Sequence, residues 1–238
     1  ARGSWLYLGR FPIYAWKTNG SWGFAFVAAL YWILVFFLLA EWHRMPTGRL
    51  LKMIFQVFEV YFPLAFAILV APLFPGELEA GTAELLLSYK VSRFRILLGK
   101  LALPFATAVA MFSMTFIATG PCRAAIIAAS AHDRSAVSLA GLIGISAPTA
   151  LFLSGAGVFA SLVGRSTLAG VMSTSGIWLL DFLTGGQHLK WFTLFRQSHP
   201  CTCSGIALGP NKVLLALVGV GLYALSWVQL ERPERLWK

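Results

Sequence analysis

Long uncharged apolar runs recur along this chain, and they constrain it more than anything else in the sequence. Residues 23–40 form the first, free of charge and rich in Phe and Leu. About 20 such residues cross the hydrocarbon core of a bilayer as one helix, and Trp22 and Trp42 flank the run where interfacial aromatics belong. Further runs lie at about 53–74, 101–118, 138–163, 166–183 and 213–230. The expected fold is an all-α integral membrane protein: six transmembrane helices in a single domain, 23–238, preceded by an N-terminal amphipathic segment, 1–22. Charged residues make up only 12% of the chain and mean hydropathy is +0.74. A soluble domain carries about 25% charged residues.

Within the runs, local signals predict irregularities. Residues 1–22 mix aromatics with Arg2, Arg10 and Lys17, which suits an interfacial helix broken near Pro12. The polar stretch 41–52 reads as a connection. Pro63 should kink the second span, and Gly120-Pro121 should end the third. The segment 122–138 then reads as a connection with a short helix in its middle. The uncharged run 135–164 exceeds what one span needs. Pro148 and Ser154-Gly155-Ala156-Gly157 suggest a kinked or broken fourth span, with Ala156, Ala160 and Gly164 as a small-residue ridge for close packing. Arg165 marks a tight turn. The connection 185–211 carries Trp191, Phe192, Phe195 and Pro200 and is apolar enough to dip back into the membrane.

A net charge of +10 raises the question of nucleic acid. The basic residues are scattered between apolar runs and form no single face, which argues against it; membrane lipid is the partner they suit. With six spans, eleven Lys and Arg fall on the side of the termini and eight on the other. That bias places the termini and the loop 75–100 in the cytoplasm of a multi-pass protein. The first 20 residues lack a compact apolar core and a small-residue cleavage site, so no cleavable signal is expected.

The loop 75–100 is the one long segment where charge is dense and ordered. Glu77, Glu79 and Glu84 precede Lys90, Arg93, Arg95 and Lys100. Thr82 can cap a short helix with Glu84 in its first turn, and a second helix start follows at Ser92. The run Glu-Leu-Glu-Ala-Gly-Thr-Ala-Glu-Leu-Leu-Leu, then Val-Ser-Arg and Ile-Leu-Leu-Gly-Lys, resembles the loop between the second and third spans of type-2 (ABC-2 exporter-like) ABC transporter permeases. This chain has Tyr89-Lys90 where that family often has Pro before Val-Ser-Arg. The resemblance implies a coupling helix seated in a groove of a separate cytoplasmic ABC ATPase. Glu77, Glu79, Gly81, Thr82, Glu84, Leu85, Leu86, Ser92, Arg93 and Arg95 are then the ATPase-coupling residues. It also implies a second permease subunit, identical or related, forming a dimer in the plasma membrane. ATP and Mg would be bound by the ATPase subunits and no cofactor by this chain. The expected function is export of a hydrophobic or amphiphilic substrate, such as a peptide, antibiotic or lipid, through tilting of the spans.

Other motifs carry less. Leu183-Thr184-Gly185-Gly186-Gln187 looks like an ABC ATPase signature, but Gly99-Lys100 has Phe94 and Leu101 where a phosphate loop needs Gly and a hydroxyl. The chain is therefore expected to bind no ATP itself and not to be an enzyme, and the Gly pair to cap the fifth span. His199, Cys201 and Cys203 match no common zinc spacing, so no metal site is expected. A disulfide between Cys122 and Cys201 or Cys203 stays open. Glu59 and Asp181 sit inside apolar runs, where a carboxylate faces a partner or a wet cavity. They are candidates for the substrate path, or are paired near the interface with a cation such as Lys52. A secondary transporter, or an intramembrane enzyme using Glu59 and Asp181 as acid and base, is the alternative.

Overall fold

The computed structural model describes residues 21–40, 42–71, 93–129, 135–187, 192–195, 197 and 208–231. Every regular element among them is helical: α1 (Ser21–Ala40), α2 (Thr47–Val70), α3 (Arg93–Ala118), α4 (Gly120–Ala129), α5 (Leu139–Val163), α6 (Thr167–Thr184) and α7 (Leu208–Glu231). Each of the six expected runs coincides with a helix. Three of these, α2, α5 and α7, are long and apolar enough to cross a membrane, and α3 with α4 makes a fourth if the bent pair is one span. This is the helix content of a membrane protein. The interfacial segment 1–22 lies almost wholly outside the described residues, as do Glu77, Glu79, Gly81, Thr82, Glu84, Leu85, Leu86 and Ser92. Arg93 and Arg95 open α3, at the helix start expected after Ser92.

α5 is the central element, packed against α7, α6 and the second half of α2. Two apolar clusters result. The larger joins Tyr31 and Val35 of α1, Phe58 and Leu69 of α2, Met111 of α3 and Ile126 of α4. The smaller gathers Val60, Leu153, Leu194, Phe195 and Leu215. Large apolar side chains on the outer faces stay exposed, among them Phe36, Ile117, Leu183 and Leu217. A lipid environment removes the cost that water would impose there.

The structure corrects some of these expectations. The stretch 41–52 is mostly helix, because Pro46 in an extended conformation starts α2 at Thr47; Arg49 and Lys52 ride on its exposed face. At Pro63 a π-helical turn, Gln56–Tyr61, precedes the proline, and the Phe62 N–H reaches back five residues to the Val57 carbonyl. The third helix ends at Ala118, beside Gly120-Pro121 as expected, and α4 follows at a bend of 52°. The Arg123 guanidinium holds that bend: Nη2 donates to the Phe116 carbonyl at 2.8 Å and the group lies over the Phe116 ring.

A further correction concerns α5, which is continuous through Pro148 and the glycine cluster. Its small residues serve close packing, one position away from the expected ridge. Ala156 is buried but Gly164 is exposed. The contacts run instead through Gly155 and Gly157. A Cβ on Gly155 would meet the Gly219 carbonyl of α7 at 2.9 Å, and one on Gly170 of α6 would meet the Gly157 carbonyl at 2.7 Å. The tight turn at Arg165 is present, with φ of +50°.

Candidate functional site

α5 and the three helices packed on it, α2, α6 and α7, converge on the connection that follows α6. Helix α6 ends as its sequence predicts, on Gly185 in the left-handed region at φ +57°. Gly186 follows at φ +82°, its N–H donating to the Asp181 carbonyl at 3.1 Å. The chain then folds inward. Thr193, Leu194 and Phe195 are buried, Phe192 stacks on Phe152 of α5, and Phe195 meets Trp178 and Phe182 of α6 edge-on. Within the expected connection 185–211, residues 193–195 are buried against α5 and α6 and lie outside any regular helix.

A buried segment outside a helix leaves its amides without a ladder, and each must find a partner. Here the partners are side chains. Asp181 Oδ2 accepts from the Leu194 N–H at 2.8 Å and the Phe195 N–H at 3.3 Å. Lys212 Nζ donates to the Leu194 carbonyl at 2.8 Å and to Thr149 Oγ1 at 2.9 Å. Glu59 accepts from the Gln197 N–H, 3.1 Å at its nearer oxygen. Lys212 closes the set with an ion pair to Glu59 Oε1 at 2.8 Å. Glu59 and Asp181 are fully buried and Lys212 is 6% exposed. Among the described residues no donor reaches Asp181 Oδ1.

The helices aim these groups for identifiable reasons. Glu59 sits inside the π turn. That turn also turns the Val60 carbonyl to the Trp178 indole, whose Nε1 donates to it at 2.9 Å. Asp181 lies one turn before the α6 cap, and Lys212 in the first turns of α7. Glu59 and Asp181 are thus brought to one site, on opposite sides of the same segment. The cation beside Glu59 is Lys212 and not Lys52, because α2 carries Lys52 on its exposed face. Glu59 is also midway along α2 and not near its end, since the helix starts earlier than expected.

Sequence reasoning missed Lys212 and Thr149. Lys212 had been counted among flanking charges, yet it follows Pro210-Asn211 at the head of an apolar run. Two intramembrane carboxylates without an assigned cation were the available signal. The metal reading of His199, Cys201 and Cys203 falls outside the described residues. Cys122 is a free thiol, buried in the larger cluster.

The chain matches no family model, no curated protein and no solved structure. The site's chemistry must therefore be read from its own geometry. It is a donor and acceptor set that binds peptide backbone.

That geometry makes Gly186→Ala costly. A Cβ there would lie 2.5 Å from Thr193 Cγ2, and φ of +82° is already unfavourable for any other residue. The expected loss is about 1–3 kcal/mol, measured as a lower unfolding midpoint in detergent. Gly185→Ala, which meets nothing within 4 Å, should pay only the left-handed penalty and lose less.

Proposed function

We propose that the chain is the membrane-spanning permease subunit of an ATP-driven ABC transporter, exporting a hydrophobic or amphiphilic substrate. The observation that carries this reading is the loop 75–100. Its acidic-then-basic order and its resemblance to a coupling loop fall between two apolar helices, as an ATPase docking element requires. In this reading the chain crosses the plasma membrane six times, with α1, α2, α3, α5, α6 and α7 as the spans. The termini and the loop face the cytoplasm. Two permease subunits form the pathway and two ATPase subunits bind ATP and Mg beneath them. The apolar faces of the outer helices and the absence of a phosphate loop in the sequence support this division of labour.

Glu59 and Asp181 take a revised place in it. Both are engaged by residues 194, 195 and 197 of the inserted segment, so they act on a substrate path through that segment and not as free carboxylates. The alternative of an intramembrane enzyme gains nothing from the geometry, since Glu59 is bonded to Lys212 and Gln197.

The decisive experiment is affinity purification of the tagged chain from its native membrane in mild detergent. Co-elution of an ABC ATPase whose activity rises in the complex is the expected result; purification with no ATPase would refute the reading. A variant refines it. Glu84→Arg reverses a charge in the first turn of the expected coupling helix, where the dipole favours an anion. Transport should fall at least tenfold while membrane levels of the chain stay unchanged. Normal transport in that variant would remove the loop from the mechanism.

A further inference from the structure

Residues 192–195 and 197 are held in a way that separates them from the bundle around them. The helices meet through glycine contacts, Gly155 on Gly219 and Gly157 on Gly170, and none of these involves the segment. Its own peptide groups are held by side chains from four helices: Glu59, Thr149, Asp181 and Lys212. A pair of left-handed glycines, Gly185 and Gly186, stands at its entrance.

We infer that Glu59, Thr149, Asp181 and Lys212 form a binding site for a bent apolar peptide, and that residues 192–195 and 197 occupy it as an internal stand-in. The inference rests on the transporter reading and narrows its cargo from hydrophobic substances to peptides. The chemistry selects the class. If the segment left, Asp181 and Lys212 would remain buried among apolar helices, which is costly unless both are re-bonded. A hydrocarbon chain offers neither donor nor acceptor. A peptide offers both at the right separation: two successive N–H groups for one carboxylate oxygen and a carbonyl for the ammonium. The aromatic faces of Phe152, Trp178 and Phe182 suit apolar or aromatic side chains on that peptide. Displacement is an exchange of one backbone for another, with no bond made or broken beyond hydrogen bonds.

The test uses the purified chain in lipid nanodiscs, without any ATPase, so that its result is independent of the complex. Hydrogen–deuterium exchange is followed at the Leu194, Phe195 and Gln197 amides while N-acetyl-Phe-Thr-Leu-Phe-amide is titrated. The peptide copies residues 192–195. Saturable acceleration at those three amides, at least tenfold, with exchange in α5 and α7 unchanged, is expected. A depsipeptide in which esters replace the Leu and second Phe N–H groups should need at least tenfold higher concentration. Asp181→Asn should weaken the peptide's effect to a similar degree. The inference is overturned if the peptide leaves the three amides unchanged. It is equally overturned if α5 and α7 exchange faster in parallel, or if peptide and depsipeptide act alike. The wild-type measurements decide it even if the Asp181 variant does not fold.

Discussion

Lys212→Met should destabilise the protein by about 3–5 kcal/mol, the usual cost of removing one partner from a buried ion pair. Lys212 Nζ makes three contacts at 2.8–2.9 Å, to Glu59, Thr149 and the Leu194 carbonyl. Methionine matches the stem of the side chain but offers no donor. The Glu59 carboxylate then stays buried and loses the ammonium beside it. Glu59→Gln/Lys212→Met should recover most of the loss, because it removes both charges and leaves an amide that still accepts from Gln197. Unfolding midpoints of the wild type, both single variants and the double variant form a cycle. A coupling of at least about 2 kcal/mol is expected. If the double variant loses the sum of the singles, the two residues act independently and the pair does not organise the site. Lys212→Arg should not rescue, since a planar fork cannot direct one point charge to three converging acceptors.

Gly219→Leu should be as damaging, for a steric reason. A Cβ at Gly219 would lie 2.8–2.9 Å from backbone atoms of Leu151 and Phe152. Backbone cannot move aside as a side-chain tip can. Even Gly219→Ala sets an overpacking cost of about 1–3 kcal/mol against a helix-propensity gain of about 1 kcal/mol, so the net effect is a loss. Leucine adds three more carbons to the clash and should part α7 from α5 and with it the Tyr223–Ser154 hydrogen bond. Gly221→Leu is the matched control, two residues away, exposed, with nothing within 4 Å. A similar loss in both variants would show that glycine flexibility, and not close approach, is what matters in α7.

The sequence made the helices legible because length and apolarity alone announce them. It was less informative about what ends or bends them. Pro63, Pro121 and Pro148 each signal an interruption, and the fold answers differently at each: a π turn before Pro63, a helix end at Ala118 before Pro121, and an unbroken helix through Pro148. A proline removes one N–H; which neighbour compensates is a tertiary matter. The same limit explains the ridge. Ala156, Ala160 and Gly164 have the expected spacing, but which face meets a partner depends on where α6 and α7 lie, and that selects Gly155 and Gly157. At the site, Glu59 and Asp181 stood out because charge in an apolar run is conspicuous. Lys212 did not, because it borders its run, and a cation at a run's edge has an ordinary explanation. Its role emerges only when residues 192–195 turn inward and carry a carbonyl to it.

One consequence of the α5 packing bears on how this bundle can change shape. Gly155 and Gly157 are two residues apart, so they face directions about 200° from each other. At that single level α7 presses one side of α5 and α6 presses the other. A rod gripped like this has lost its freedom to roll about its long axis.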